Sequence, residues 1–189
     1  RQLVPANDGT HILQKPLEEM KQLRGRQLTS PAASATDNAG ENPQMLPHHI
    51  EGAFELLLEE LSGQDFEIAI DRSMTLTYHK ETSVFLLSFL PDEECRASDA
   101  KGYGRRQRKA LIENADGITA LQIFVDHSCI EIFINGGAYV FTSRYYKDDK
   151  SASHMLAFSN SLQYKIYELK GYEYTFRNDI IHRKKTKRL

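Results

Sequence analysis

The chain has 189 residues, 40% of them hydrophobic, enough to bury one sizeable core in a single domain with extensions. Its formal charge is −2, and setting aside the five cations Arg183, Lys184, Lys185, Lys187 and Arg188 of the C-terminal tail leaves a body at −7, which argues against a phosphate-binding surface on the folded part. Cys95 and Cys129 form no CxxC spacing and no disulfide scaffold, and no apolar run approaches the roughly 20 residues that cross a bilayer.

In chain order, residues 16–24 read as a short helix, with Pro16 at its first position, Glu18 and Glu19 near the positive end of the dipole and Gly25 placed to end it. Leu17, Met20 and Leu23 would form its buried stripe. Residues 29–47, rich in Ala, Ser, Pro, Asn and Asp, have neither helical nor strand periodicity and read as a flexible low-complexity loop. Residues 53–61, 65–71, 74–79 and 84–89 then look like successive strands, broken at Ser62-Gly63, Arg72-Ser73 and Lys80-Glu81, with 66–70 the clearest alternation. A polar loop over 91–104 leads to further strands at 106–112, 121–144, 155–158 and 164–169. Many short strands at this spacing point to two packed antiparallel sheets. The expected organisation is a linker with its short helix over 1–28, the loop over 29–47, a β-sandwich over 48–178 and a basic tail over 179–189, which reads as a solvated terminus.

The block at 121–144, LQIFVDHSCIEIFINGGAYVFTSR, is the most informative. With Asp126 and His127 as a two-residue turn, Ile123, Ile130 and Ile132 share one face, because side chains alternate along a strand. Asn135-Gly136-Gly137 supplies a second reversal through residues that tolerate positive φ. Ile132 then faces Tyr139 or Phe141 if the loop has two residues and Val140 if it has three, and the residues leave both registers open.

Candidate chemistry is sparse. Asp126, His127 and Ser128 have the residue types of a nucleophilic triad, but neighbours in an extended turn point apart, so Asp126 and Ser128 are read as bonding local backbone. Asp92, Glu93 and Glu94 could supply paired carboxylates or hold a cation, yet adjacent loop residues rarely reach the required separation, and a solvated loop explains them. His48 and His49 lack a third ligand at metal spacing. Glu131 and Arg144 read as a cross-strand charge pair. Tyr145, Tyr146, Tyr172 and Tyr174 are the candidates for an exposed sugar-binding platform, whereas most other aromatics fit core positions. There is no Gly-rich phosphate loop, HExxH or GxSxG.

Residues 14–24, QKPLEEMKQLR, resemble the linker helix that follows the catalytic propeller of the invertase, sucrose-6-phosphate hydrolase and fructan hydrolase family of glycoside hydrolases. Residues 124–137, FVDHSCIEIFINGG, with Phe141-Thr142-Ser143-Arg144, resemble the signature hairpins of its C-terminal β-sandwich. The intervening strands fit that sandwich in number and order. The resemblance implies a non-catalytic β-sandwich that stabilises a five-bladed propeller by packing on it. The family's Asp nucleophile in an NDPNG motif, its RDP motif and its Glu acid in an EC motif would lie on that propeller. Asn7-Asp8 and Asn178-Asp179 are not followed by Pro-Asn-Gly, no Arg-Asp-Pro occurs, and Glu94-Cys95 is read as a coincidental match inside the sandwich region. No catalytic, cofactor-binding or metal-binding residue is therefore assigned. The chain, which opens on Arg1, is expected to be a piece of a longer hydrolase of sucrose or related fructosides, inactive alone, with cytoplasm as its expected compartment. Its expected partner is the catalytic propeller of the parent chain, with neither nucleic acid nor membrane. Two other readings stay open: a carbohydrate-binding module for sucrose or fructan, and an oligomerisation module forming a homodimer.

Overall fold

The computed structural model describes residues 1–30, 50–71, 73–89, 107–144, 153–158 and 162–171. The strands are β1 (Gln2–Pro5), β2 (Ile12–Lys15), β3 (Arg24–Thr29), β4 (Ile50–Glu51), β5 (Phe54–Leu58), β6 (Phe66–Ile70), β7 (Met74–His79), β8 (Val84–Phe89), β9 (Gln107–Leu111), β10 (Leu121–Asp126), β11 (Cys129–Ile134), β12 (Tyr139–Arg144), β13 (Ser153–His154), β14 (Leu156–Phe158) and β15 (Lys165–Leu169). One antiparallel sheet runs β12-β11-β10-β5-β15-β3 and a second runs β14-β6-β7-β8-β9. β1 pairs with β2 and β4 with β13 in two further ribbons.

The two large sheets form a β-sandwich because each presents an apolar face at period two. On the six-stranded sheet one row across the ladder is Leu28, Ile166, Leu56, Ile123, Ile132 and Phe141. The five-stranded sheet answers with Phe66, Ile68, Ile70, Met74, Leu76, Tyr78, Phe85 and Leu87, and the two sets join in one buried cluster. Its opposite face mixes Glu67, Thr75, Thr77 and Lys109 with Val84, Leu86 and Leu111.

Several local expectations are corrected. Residues 16–24 hold a 3-10 helix over Glu18–Leu23 with no buried residue, so the stripe of Leu17, Met20 and Leu23 does not form, and Leu17 is 46% exposed. Six residues are too few for an α-helical stripe, and Arg24 is already extended as it enters β3. Gly25 lies inside β3 instead of ending the helix. β1, β2, β3, β4 and β13 had no strand signal, being short or polar; β3 nonetheless forms an edge of the six-stranded sheet, and Thr29, placed in the low-complexity loop, pairs with Lys165. The remainder of that loop, from residue 31, and the tail lie outside the described residues.

The first hairpin turns at His127-Ser128, since Asp126 pairs with Cys129. A turn moved by one residue along the chain shifts the pairing by two, so the expected face survives: Ile123, Ile130 and Ile132 are all fully buried. The second hairpin uses the four residues Asn135 to Ala138, with Ile134 opposite Tyr139 and Ile132 opposite Phe141. Asn135, at φ 50°, also accepts the Thr119 and Ala120 N–H groups through its Oδ1 at 2.9 and 3.2 Å, tying the turn to the segment that enters β10.

Ile132→Asp places an unpaired carboxylate between the sheets and is expected to destabilise the domain by more than about 4 kcal/mol, abolishing the cooperative thermal transition. Melting at the wild-type temperature would contradict the face assignment.

Candidate functional site

The outward face of the six-stranded sheet is covered over its middle and exposed at Gln27, Thr29, Thr142 and Lys165. Its rows run Thr29, Lys165, Leu57, Gln122, Phe133, Val140 and Gln27, Tyr167, Glu55, Phe124, Glu131, Thr142. Leu57, Phe124 and Phe133 are 9%, 8% and 2% exposed, because the N-terminal segment lies across this face as a third layer.

Two arginines anchor that layer. Arg24 grips the Glu55 carboxylate with both prongs, Nε donating to Oε2 at 2.7 Å and Nη2 to Oε1 at 2.8 Å. Gln122 Nε2 donates to the same Oε1 at 2.6 Å, and the guanidinium lies 4.4 Å from the Tyr167 ring centroid. Glu55 is 1% exposed, so this carboxylate is held away from water by a fork-shaped cation, the geometry in which charge-assisted bonds are strongest. The hydrogen bonds to Glu55 raise the Arg24 pKa further above its usual value. Arg1, at the start of the hairpin, donates to Glu131 Oε1 at 2.6 Å and to Thr142, and its guanidinium sits 5.6 Å from the Phe133 ring centroid. Between these anchors Gly137, at φ 95°, comes so close to the Gln14 carbonyl that any Cβ there would overlap it.

Layer and sheet enclose a cleft of about 390 Å³, lined on one side by Lys15, Pro16, Leu17 and Met20 and on the other by Leu57, Gln122, Phe124 and Tyr167. Its charges are mostly paired: Lys21 with Glu18 at 2.6 Å, Lys165 with Glu59 at 2.5 Å, Arg24 with Glu55. The Lys21 hydrogen bond lowers the Glu18 pKa, and the Glu59 bond raises that of Lys165. The arrangement is an anchor that fixes one layer on another.

Of the sequence candidates, Asp126 and His127 do meet, Oδ1 to Nδ1 at 2.9 Å, contrary to the expectation that turn neighbours point apart. The pair is exposed, Asp126 also accepts the His127 N–H at 2.7 Å, and both bonds lower its pKa, the side-chain one most. No hydrogen bond links Ser128 to His127 or to local backbone among the described residues, so no triad is assembled. Glu131 pairs with Arg1 instead of Arg144, which sits diagonal to it, opposite Cys129. Burial pushes the Cys129 thiol up, away from reactivity. His48, His49, Asp92, Glu93, Glu94, Cys95, Tyr145, Tyr146, Tyr172 and Tyr174 lie outside the described residues. Among those described, no three ligating side chains are grouped to hold a metal ion, and no helix is long and apolar enough to cross a membrane.

Sequence reasoning missed Arg24, Glu55, Gln122 and Tyr167. The signal was a single carboxylate within the otherwise apolar run FELLL, a residue that needs a partner once the strand is buried on both faces.

Arg24→Met is expected to destabilise the chain by about 3 kcal/mol in denaturant unfolding, because it leaves Glu55 buried without its cation, while the double variant Arg24→Met, Glu55→Leu recovers most of that loss. Equal stability of wild type and the single variant would show that the pair anchors nothing.

A family model described as "Glycosyl hydrolases family 32 C terminal" matches residues 19–173. The sucrose-6-phosphate hydrolase of Bacillus subtilis (strain 168) is 26% identical over 139 residues, covering 73% of this chain and 26% of that protein. That of Vibrio alginolyticus is 25% identical over 162 residues, 85% of this chain and 29% of the relative. The chain thus spans about a quarter of the curated relatives it matches. Among solved structures, the Bombyx mori GH32 β-fructofuranosidase superposes with a TM-score of 0.60 at 20% identity, over 86% of this chain and 31% of its own. The sucrose-6-phosphate hydrolase from Lactobacillus gasseri gives 0.53 at 22% identity, over 87% and 32%. At these identities the structural likeness bears on the fold.

Proposed function

Because this chain belongs to the family of C-terminal domains of glycosyl hydrolases family 32, we propose that it is the non-catalytic β-sandwich of a β-fructofuranosidase-type hydrolase. In that reading the parent polypeptide hydrolyses sucrose or a related fructoside on a propeller outside this sequence, and the sandwich stabilises the propeller by packing on it. The observation that carries the reading is the family match over residues 19–173, joined to relatives named sucrose-6-phosphate hydrolase of which the match covers only 26% and 29%. The free Cys129 and the bacterial origin of those relatives favour the cytoplasm as the compartment.

A sugar-binding role has less support within the described residues. Tyr167 gives one ring face to Arg24, and Phe124, the other aromatic lining the cleft, is 8% exposed, so neither is a free stacking platform for a sugar.

The 189-residue chain is expected to release no glucose from sucrose or glucose 6-phosphate from sucrose 6-phosphate, while the product of the complete reading frame releases one of them. Turnover by the short chain would refute the assignment. In the complete protein Glu94→Gln is expected to leave turnover unchanged, since Glu94-Cys95 falls within the residues matched by the C-terminal family model; a loss of turnover with the fold intact would return Glu94 to the list of acid candidates.

A further inference from the structure

Each large sheet ends in two edge strands, and three of the four are buried or engaged by side chains. β14 is buried along its length, β3 has its arginines in ion pairs with Glu55 and Glu168, and β12 is met by Arg1 at Thr142. The fourth, β9, pairs with β8 on one side and with no strand on the other. Its register fixes which backbone groups are left over. The Ile112 N–H donates to the Ser83 carbonyl at 2.8 Å, in step with the β8–β9 pairing, so Ile112, Ala110 and Arg108 turn their backbone groups toward β8. Gln107, Lys109, Leu111 and Glu113 therefore turn theirs to the open edge. The Glu113 N–H is capped by the Tyr139 hydroxyl at 2.8 Å, whereas those of Gln107, Lys109 and Leu111 have no partner among the described residues.

The side chains give this edge a charge pattern. Arg108 turns toward the other sheet, where its Nε donates to Ser143 at 3.2 Å, and Lys109 stands exposed on the outer face, so the strand presents one cation on each side. Neither has a carboxylate partner among the described residues. Ala110 and Leu111 follow, and Leu111 is 55% exposed.

We propose that β9 is a docking edge for an extended acidic segment of another protein, which adds to the five-stranded sheet as a further antiparallel strand. Backbone bonds to Lys109 and Leu111 hold it, and side chains select it. Directly opposed residues of an antiparallel pair point to the same face. The complement of Arg108-Lys109-Ala110-Leu111, read from its own N-terminus, is therefore two apolar residues followed by two acidic ones, with one carboxylate beside Lys109 and the other beside Arg108. A lysine on an edge keeps that edge from pairing with its own kind. Here the charge discriminates: a second copy of β9 centred on Lys109 sets like charges across the ladder, and an acidic strand replaces that repulsion with attraction. The inference stands apart from the substrate reading.

Amide hydrogen exchange in the complete protein, resolved over residues 107–111, tests this with the peptide Thr-Val-Val-Glu-Glu-Thr and its control Thr-Val-Val-Lys-Lys-Thr as probes. Without peptide, the Lys109 and Leu111 amides are expected to exchange several-fold faster than those of Arg108 and Ala110, which bond to β8. The acidic peptide is expected to slow Lys109 and Leu111 several-fold, and the basic one to leave them unchanged. Lys109→Glu, at an exposed position, should reverse that preference. Leu111→Pro removes an N–H that the β8 ladder does not use, so it should keep the fold and abolish the protection of Lys109. Failure of the acidic peptide to protect these amides would overturn the proposal. So would peptide binding without protection, which is adsorption through charge alone. Slow exchange at Lys109 and Leu111 before any peptide is added would overturn it as well, by showing the edge already covered: by a second copy if dilution restores exchange, by the rest of the polypeptide if it does not.

Discussion

The constraint on which the rest of this structure depends is that the six-stranded sheet carries buried apolar side chains on both faces. A sandwich needs one apolar face per sheet, and Leu28, Ile166, Leu56, Ile123, Ile132 and Phe141 supply it. Leu57, Phe124 and Phe133 point the other way, and burying such side chains is favourable by roughly 1.5 to 3 kcal/mol each. The sheet therefore requires a third layer, and the segment before β3 provides it. The hairpin, the 3-10 helix and the cleft follow from that requirement.

A layer held only by apolar contact could slide, because burial is nondirectional. The Arg24–Glu55 fork and the close approach of Gln14 to Gly137 are directional, and they fix the register of segment against sheet. A buried pair of this kind contributes little net stability relative to a hydrophobic replacement, and register is its best-attested use. The same logic applies at the end of the sandwich, where the buried His154 ring meets Asp71 at 3.0 Å and the other Asp71 oxygen accepts the Met155 N–H at 3.0 Å. That pair fixes the β13–β14 segment against the end of β6, alongside the β14–β6 ladder.

Legibility in the sequence followed the strength of each local signal. Strands with several β-branched or aromatic residues are found to the residue: β7 because its alternation mirrors the buried face, and β8 because it is an apolar run bounded by turn residues. The face of β10 and β11 was readable even though the turn was displaced by one residue, since pairing parity is unchanged by that shift. The hairpin β1–β2 and the edge strand β3 were not readable. Their residues, QLVP, ILQK and RGRQLT, alternate weakly, and it is tertiary contact with a sheet far along the chain that makes them strands. The Arg24–Glu55 pair was hidden for the same reason, as its partners are 31 residues apart and meet only when β15 inserts between β3 and β5.

That insertion bears on how the domain is assembled. β15 pairs with β5 on one side and β3 on the other, so the six-stranded sheet closes only when the last described strand enters between two that precede it by more than a hundred residues. Pairings of that separation are slow, because loop-closure entropy is lost before the contacts form. Until β15 arrives, β3 has no neighbour in the sheet and the Glu55 carboxylate has no fixed cation beside it. The Arg24–Glu55 anchor thus depends on that long-range closure, whereas the hairpin is held by Glu131, Thr142 and Gly137, which belong to β11, β12 and the turn between them.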